Sequence, residues 1–373
     1  MYQGKDLHFV SMDVPYPPNY GGIIDVFYKL KAFSHFDVEI HLHLFGFKEC
    51  DVDIFKKYAK NVYFYPIHQK PHYIFQKYPL SVRSRDSKLF YERIKSLKAP
   101  IFFESLKTTF ILNKYNLDDY PKYLRLHNVE QNYFSGLARS EKNIIKKALY
   151  NIESKKYIAY EKIIHQFDEV FTISKFEQNY TKEKFNKGKF IPVFHGNKEF
   201  QLLSEKGKFA LYHGDLRTSD NRKVVSFLID VFKEIDYPFV IASGTKEEWV
   251  KSKIQNFDHI KFVKLKDFDH LKELFEDAHL NVSWSFQESG TKLKIINALF
   301  NSRFSIINKN VIDDDVISSL CTKVSNKSEL IEAINKLKNQ PFTVSNEYIN
   351  TLEHYLNNKL NAEVILKQIF SKL

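Results

Sequence analysis

Residues 283–299 carry the sequence SWSFQESGTKLKIINAL, which runs from the end of a predicted strand (Leu280–Phe286) into a predicted helix. Between the two lie the acid Glu288 and a flexible Ser-Gly turn, and the first helical turn carries Lys292 and Lys294. Cations are mildly unfavourable at the positive end of a helix dipole, so two lysines there conflict with the local structure unless an anion binds. The stretch therefore predicts a strand–loop–helix unit whose free amides and lysines hold an anion.

The same alternation of short β-rich runs and helical-period segments extends along the whole chain, and this pattern is typical of parallel sheets covered by helices. The strands predicted in the first half are Leu7–Met12, Val38–Phe45, Asn61–Ile67, Pro100–Ser105, Lys122–His127, Glu169–Ser174 and Phe190–Phe194. Those predicted in the second half are Ala210–His213, Phe239–Ser243, Ile260–Leu265, Leu280–Phe286 and Ser305–Asn308. We therefore predict an α/β fold of two doubly wound, Rossmann-like domains, with one long helix from Val129 to His165 in the first.

The boundary between the two domains is predicted near residue 200, after the Pro- and Gly-containing stretch Ile191–Asn197. This places an N-terminal domain over 1–200 and a C-terminal domain over 201–345. Apolar residues recur at helical spacing in the tail, which predicts one amphipathic helix over 346–373.

Composition narrows the class of protein. The 373 residues are about twice a usual domain, and 43% hydrophobic with 27% charged residues excludes a disordered chain. The two cysteines, Cys50 and Cys321, are too few for a disulfide scaffold and lack zinc spacing. No run approaches about 18 consecutive apolar residues, so we expect a cytoplasmic protein without a membrane span. The net charge of +11 indicates an anionic partner: nucleic acid, a phosphate-bearing substrate or a membrane surface.

A second candidate site is the loop after the first strand, which starts at Asp13 and ends in Gly21 and Gly22 at a predicted helix start. A glycine pair there allows the backbone to approach a phosphate closely. The alternative is a proline-rich connection in which the glycines only permit the turn. Asp13 is a candidate base, with a turn-capping carboxylate as the alternative.

A third candidate is His127-Asn128-Val129-Glu130, at the end of a strand and the start of the long helix. Ligands of open α/β sheets lie at the carboxyl ends of strands, where the imidazole of His127 could hydrogen-bond a hydroxyl. The alternative makes His127 an ordinary half-buried residue, and in either case Asn128 is expected to cap the helix.

The fourth candidate, Tyr212–Lys223, is again a strand, a glycine turn at Gly214 and a helix start. Arg217, Arg222 and Lys223 are positioned to neutralise a diphosphate there. The alternative is a set of solvated charges on a helix capped by Ser219 or Asp220.

Together, in this order, the four segments resemble the GT-B glycosyltransferases of family 4 (glycosyltransferase group 1), which build bacterial polysaccharides. The motifs are Pro-Pro-x-x-Gly-Gly, His-Asn-x-Glu, Gly-x-Leu-(x)4-Asn and Glu-Ser-Gly-Thr-Lys-x-Lys-(x)3-Ala-Leu, and they span roughly residues 8 to 310. The resemblance implies two Rossmann-like domains facing a cleft, an acceptor-side N-terminal domain, a nucleotide-sugar-binding C-terminal domain and a last helix that crosses back onto the first domain. It also implies a retaining reaction without a metal ion or other cofactor.

The resemblance assigns roles to residues of this chain. His127 and Glu288 would act on the transferred sugar, with Asp13 as the base if the reaction inverts. The donor-binding residues would be Gly21, Gly22, Gly214, Arg217, Arg222, Lys223, Ser289, Gly290, Thr291, Lys292, Lys294 and Asn297. Two positions depart from the family pattern, because Asp215 replaces the usual arginine and Asn297 replaces the second acid.

The function expected from the sequence is transfer of a hexose-type sugar from a nucleotide diphosphate, UDP or GDP, to a glycan or lipid-linked glycan. Asp215 and Asn297 motivate the alternative of a catalytically silent GT-B homologue that serves as a binding or partner subunit. A nucleic-acid binder is not expected, since the lysines are scattered among glutamates.

The helix from Arg139 to Lys162 combines lysines with apolar residues, so it could lie against an anionic membrane at the inner face of the cell membrane. The alternative is an ordinary solvated helix face.

Overall fold

The computed structural model describes residues 2–18, 21–287 and 293–371. The chain divides into two compact units. The first contains the residues up to Gly196 and those from Leu356 onward, and the second contains Asn197–Tyr355. The change of unit thus falls a few residues before the predicted boundary at residue 200.

Strands and helices alternate along the described residues, as the apolar runs predict. The strands are β1 (Asp6–Ser11), β2 (Glu39–Gly46), β3 (Asn61–Pro66), β4 (Ile101–Glu104), β5 (Lys122–Leu126), β6 (Glu169–Thr172), β7 (Lys189–Phe190), β8 (Phe209–His213), β9 (Phe239–Ser243), β10 (Ile260–Lys264), β11 (Ala278–Ser283), β12 (Phe304–Ile307) and β13 (Thr322–Lys323). The helices of the first unit's main segment are α1 (Gly21–Phe33), α2 (Leu80–Arg83), α3 (Lys88–Lys95), α4 (Glu130–Ser140), α5 (Ile144–Tyr160) and α6 (Lys175–Phe185). Those that follow are α7 (Ser219–Phe232), α8 (Glu247–Ile254), α9 (Phe268–Asp277), α10 (Leu293–Asn301), α11 (Asp315–Ser319), α12 (Lys327–Leu337), α13 (Asn346–Tyr355) and α14 (Asn358–Phe370).

The first unit is built on a parallel sheet with the strand order β3-β2-β1-β4-β5-β6-β7. Phe9 of β1 lies opposite Leu42 of β2 on one side and Phe102 of β4 on the other. Side chains on both faces of the central strands are buried, as expected for a parallel sheet covered by helices. This confirms the α/β class predicted from the apolar runs.

The second unit repeats the design with six parallel strands in the order β10-β9-β8-β11-β12-β13. Its core includes Leu228 and Phe232 of α7 and Ile334 of α12, all fully buried. The short edge strand β13 was not predicted, because two residues are too few to show a period.

The helix predicted from Val129 to His165 is instead two helices, α4 and α5. The side chain of Asn143 caps α5, since its Oδ1 accepts a hydrogen bond from the Lys146 amide at 3.1 Å. Glu141 Oε1 accepts from the Asn143 amide at 2.9 Å and holds the intervening turn. A side-chain cap therefore interrupts the helix without glycine or proline.

The C-terminal segment is likewise two helices, not the single helix predicted over 346–373. The Oδ1 atom of Asn357 accepts from the amides of Lys359 and Leu360 and so starts α14 afresh. Helix α13 belongs to the second unit, whereas α14 packs in the core of the first unit through Ile365 and Ile369. Among the described helices, none combines the length and the apolar character that a membrane span requires.

Candidate functional site

The strand order of the first sheet reverses between β1 and β4. In open α/β sheets, ligands bind outside the carboxyl ends of the strands at such a reversal. Three predicted features belong to this end of the sheet: Asp13 follows β1, Gly21 and Gly22 open α1, and His127 follows β5. Residues far apart in sequence are thus brought to one edge.

Five ionisable side chains form a buried cluster at this edge: Asp25, Lys29, Glu104, Arg125 and His127. Each is at most 5% exposed. Lys29 Nζ lies 2.7 Å from Asp25 Oδ2 and 2.6 Å from Glu104 Oε1. Arg125 Nη2 donates to Asp25 Oδ1 at 3.0 Å. Two acidic side chains therefore face two basic ones, which is the pairing that makes burial of charge tolerable.

Asp25 lies at the centre of this buried cluster. Burial alone would raise the pKa of Asp25, but Arg125 and Lys29 beside it hold that pKa well below its ordinary value. The Asp25 Oδ1 atom also accepts a hydrogen bond from the backbone amide of Phe194 at 2.8 Å. Asp25 is consequently ionised throughout the working pH range and ties α1 to β5 and to the chain after β7.

His127 is held by Glu104. Its Nε2 atom lies 2.8 Å from Glu104 Oε2 and 4.0 Å from Asp25 Oδ2. Because a carboxylate accepts and does not donate, Nε2 carries the hydrogen of this bond, and in the neutral imidazole Nδ1 is left as an acceptor. The cluster therefore sets both the orientation and the tautomer of the predicted histidine.

Donor atoms of Asp25, Glu104 and His127 lie within 4.8 Å of one another, a spacing that a metal ion could use. Both carboxylates, however, already contact cations, since Lys29 bridges the two and Arg125 binds Asp25. The positive charge that a metal would bring is supplied by side chains, and a metal would have to displace Lys29.

Glu130, the last residue of the His-Asn-x-Glu motif, contacts the neighbour of Glu104. Its Oε1 accepts from Ser105 Oγ at 3.2 Å and lies 3.5 Å from Lys107 Nζ. Its Oε2 is buried and has no hydrogen-bond partner among the described residues. The motif is therefore joined at both ends, through His127 and Glu130, to Glu104 at the end of β4 and to Ser105 directly after it.

Ser105 adopts φ 67° and ψ 152°. This region of backbone space is essentially reserved for glycine, and residues held there concentrate at functional sites. The strained residue directly follows Glu104, so the backbone distortion falls at the sheet reversal.

The cap predicted at Asn128 is wrong. Helix α4 begins at Glu130, and Val129 occupies the capping position without a side-chain bond. The backbone stays extended through Val129, with φ −75° and ψ 94°, so the helix starts one residue later than the cap would require.

Gly21, the first glycine of the loop after β1, is better explained by the approach of a ligand than by the needs of the turn. Among the described residues Gly21 has no positive φ, and a Cβ placed on it would meet nothing within 4 Å. Neither backbone conformation nor packing within the described residues therefore requires glycine there. Asp13 Oδ1 accepts from the Val14 amide at 2.8 Å, which is the turn-holding contact of the alternative interpretation.

The second sheet reverses between β8 and β11, and the two predicted basic segments follow these two strands. Lys223 Nζ lies 4.3 Å from the ring centroid of Phe286 and so connects the segment after β8 with the segment after β11. Lys294 Nζ lies 4.9 Å from the ring centroid of Tyr212 and 3.4 Å from the Trp284 carbonyl. Both lysines thus lie at the reversal.

The two arginines after Gly214 contact different partners. Arg217 forms a bidentate ion pair with Asp215, with Nη2 2.7 Å from Oδ2 and Nε 3.0 Å from Oδ1, and hydrogen bonding to Arg217 lowers the pKa of Asp215. Arg222 donates to the carbonyls of Leu216 and Arg217 and holds the loop.

Helix α7 is capped by Thr218, whose Oγ1 accepts from the Asn221 amide. The predicted cap at Ser219 or Asp220 is therefore wrong by one or two residues. Both of these residues already lie inside the helix.

Two buried polar atoms at the ends of the paired strands β8 and β11 have no partner among the described residues: His213 Nε2 and Trp284 Nε1. Burial, reinforced by nearby Lys294, lowers the pKa of His213 to about 3, so its imidazole is neutral. This end of the sheet therefore has hydrogen-bonding capacity that the described side chains do not use.

Asn297 is engaged in a buried amide network. Its Oδ1 accepts from Asn197 Nδ2 at 3.0 Å, and Asn301 Nδ2 donates to both Asn197 and the Asn297 carbonyl. This oxygen thus contacts Asn197, and the nucleotide-binding role of Asn297 stays a prediction. The predicted residues Glu288, Ser289, Gly290, Thr291 and Lys292 lie outside the described residues.

Asp25, Lys29, Glu104 and Arg125 were missed by the sequence analysis. The signal was present, since Asp25 and Lys29 stand four residues apart on the apolar face of α1. Charges inside apolar runs of buried elements indicate paired ions.

Comparison with known proteins finds no family model that matches the chain. A curated relative from Klebsiella pneumoniae, described as an uncharacterized 44.6 kDa protein in the cps region, is 27% identical over 317 residues, which is 80% of this chain and 81% of the relative.

Several solved structures are similar to the whole chain. Sucrose-phosphate synthase from Thermosynechococcus elongatus has a TM-score of 0.66 at 15% identity and covers 99% of this chain and 100% of its own. WaaG, a glycosyltransferase involved in lipopolysaccharide biosynthesis, has a TM-score of 0.64 at 12% identity, with 98% and 99% covered. Anabaena HepE in complex with UDP and glucose has a TM-score of 0.57 at 12% identity, with 98% and 95% covered.

At these identities the similarity shows the fold. The chain has the GT-B fold, and the resemblance inferred from the four motifs is confirmed at that level.

Proposed function

We propose that this protein is a glycosyltransferase that moves a hexose-type sugar from a nucleotide diphosphate, UDP or GDP, to a glycan or lipid-linked glycan. The observation that carries the proposal is the buried cluster at the β1/β4 reversal, which fixes His127 through Glu104. A histidine whose orientation and tautomer are fixed in this way suits a group that must hydrogen-bond a substrate hydroxyl. The GT-B fold supports the reaction class, and the relative from a cps region supports a role in polysaccharide biosynthesis.

In the proposed reaction the bond between the anomeric carbon and the donor phosphate breaks, and a bond to the acceptor oxygen forms. The acceptor hydroxyl gives its proton to a phosphate oxygen of the leaving nucleotide, so no side-chain base is needed and the configuration is retained. Asp13, whose carboxylate holds its own turn, would serve as the base only in an inverting reaction.

The leaving diphosphate needs positive charge, and this electrostatic stabilisation is the largest catalytic effect we expect. We assign it to Lys223, Arg217 and Lys294 together with Lys292. Arg222 supports the loop through its carbonyl contacts and acts indirectly. These groups make the reaction independent of a metal ion.

His127 orients the transferred sugar through Nδ1, the ring nitrogen that Glu104 does not contact, and Glu288 binds the same sugar. Gly21 allows the backbone to approach the ligand, because open space surrounds its Cα.

We place the enzyme in the cytoplasm, with peripheral contact to an anionic membrane when the acceptor is lipid-linked. HepE was solved with UDP and glucose, which supports a nucleotide-sugar donor here.

A thermal-shift panel of UDP, GDP, ADP and dTDP, with and without their sugars, tests the donor site. A ligand that binds the native state raises its apparent stability by about 2.7 kcal/mol at a concentration 100 times its Kd. We expect stabilisation by one nucleotide and a smaller shift in Lys294→Ala, with Lys253→Ala on α8 as the matched control. Stabilisation by none would refute the donor site.

The second candidate, a silent GT-B homologue, is favoured by one observation, the use of Asn297 for packing where the family has an acid. Such a homologue would show neither a diphosphate-dependent melting shift nor hydrolysis of a nucleotide sugar.

A further inference from the structure

The first unit carries an exposed apolar strip on α5 and on the segment Pro71–Phe75. Ile144 and Ile145 are 82% and 73% exposed, and Ile152 and Ile158 are also exposed. Phe75 is 90% exposed. Single exposed apolar residues are normal, but several on one helix and its neighbouring turn mark an interaction surface. We call these five side chains the α5 strip.

The charge around the α5 strip is one-sided. Five lysines in this stretch are exposed, and they are Lys142, Lys146, Lys147, Lys155 and Lys162. Of the acids in residues 141–162, Glu141 and Glu153 are half-buried and Glu161 is buried. The exposed charge on α5 and on the residues that flank it is therefore mainly positive.

Each of these three acids is held by protein groups. Glu141 accepts from the Asn143 amide, Glu153 accepts from the Leu80 amide at 2.7 Å, and Glu161 is paired with Lys184 at 2.9 Å. The five exposed lysines still outnumber the three acids, so this stretch carries a net positive charge.

The inner side of α5 fixes which side faces outward. Tyr157 and Tyr160 are buried, and Tyr157 OH lies 2.6 Å from Ser81 Oγ. Lys156 Nζ donates to the Ile74 carbonyl at 2.7 Å and so ties the segment that ends in Phe75 to the second half of α5. Phe75 and the helix are therefore parts of one surface.

We infer that the α5 strip and its lysines dock this protein on an anionic lipid surface. Isoleucine and phenylalanine side chains enter the boundary between headgroups and acyl chains, and the lysines contact anionic headgroups, as in interfacial basic amphipathic helices. The lysines and the apolar side chains together favour this partner over a nucleic acid, which would use the lysines and leave the isoleucines exposed to water.

The inference rests on the proposed function, because docking on a membrane would bring the enzyme to a lipid-linked acceptor. Binding itself requires no sugar transfer, so a vesicle assay and a donor-hydrolysis assay can fail separately.

Flotation of the full-length protein with vesicles tests the inference. We expect binding to phosphatidylcholine vesicles containing phosphatidylglycerol to exceed binding to phosphatidylcholine alone by about tenfold or more, and to fall steeply with salt. Phe75→Ser with Ile145→Ser should weaken binding by about tenfold, because apolar area no longer enters the bilayer. Lys146→Glu with Lys147→Glu should remove the preference for the anionic lipid.

Leu202→Ser is the matched control, because Leu202 is 78% exposed and belongs to the second unit. It should bind vesicles like the wild type, and all variants should keep their melting temperature and their nucleotide-sugar hydrolysis without vesicles. The inference is overturned if the wild type does not bind, if it binds both vesicle types equally, or if the Phe75 and Ile145 variant binds like the control. Loss of a self-associated state in that variant, without vesicle binding by the wild type, would assign the strip to a second copy of the chain.

Discussion

Replacement of Lys29 by methionine tests whether the buried cluster acts as one electrostatic unit. Lys29 is fully buried and contacts Asp25 at 2.7 Å and Glu104 at 2.6 Å. Without it two buried carboxylates face Arg125 alone, so one negative charge loses its compensation. Breaking a buried ion pair from one side costs about 3–5 kcal/mol, and we expect Lys29→Met to destabilise the first unit by that amount.

The measurement is urea unfolding. With a slope of about 2–3 kcal/mol per molar urea, the expected loss moves the midpoint by about 1–2.5 M. Trp249 and Trp284 lie in the second unit, so tryptophan fluorescence follows that unit, while far-UV circular dichroism follows both. The transition seen by circular dichroism but not by fluorescence should shift.

Two further variants make this result specific. Lys31→Met lies on the same helix outside the cluster and should change stability by less than about 0.5 kcal/mol. Lys29→Met with Glu104→Gln restores the charge balance and should be more stable than Lys29→Met alone by about 1–3 kcal/mol. A cost no larger than that of Lys31→Met, or additive effects in the double variant, would refute the electrostatic account.

Two other predictions concern pH and backbone strain. Burial lowers the pKa of His8 to about 4 and that of His43 well below its ordinary value, so the folded state binds fewer protons than the unfolded one. Stability should therefore be complete above about pH 6.5 and decline down to about pH 4, with His8 alone accounting for about 3 kcal/mol; a melting temperature that is constant between pH 7 and pH 4.5 would contradict this. Ser105→Gly and Ser105→Ala both lose the hydrogen bond to Glu130, but only glycine relieves the positive φ. The glycine variant should be more stable than the alanine variant by about 1–3 kcal/mol in urea unfolding, and equal stability would show that the residue stores no strain.

The two-sheet architecture could be predicted because strands buried on both faces appear as short apolar runs between helical periods. The helix interruptions at Ser140–Asn143 and at Leu356-Asn357 were missed, because a capping asparagine inside a helical pattern resembles an ordinary polar surface residue. Whether Asn143 and Asn357 cap a new helix depends on which way the chain turns, and packing decides that.

The location of a site residue was predictable where it depended only on the position of that residue along a strand. His127 comes directly after a buried strand, and this position predicts that it lies at the carboxyl edge of the sheet. Its partner Glu104 is 23 residues away and its second neighbour Asp25 is on α1, so the contact depends on strand order, which periodicity does not reveal. The hydrogen bond from Asn197 to the Asn297 oxygen was likewise not predictable, because it depends on how the chain after β7 packs on α10.

Release of nucleoside diphosphate from UDP- and GDP-sugars, measured for the wild type and for His127→Ala in the presence of EDTA, tests the proposed activity most directly. We expect release from one of the two donors by the wild type, without a metal ion, and a rate lower by about 10² or more in His127→Ala, with both proteins assayed at a temperature at which circular dichroism shows them folded. Release from neither donor, or equal rates in the two proteins, would contradict it.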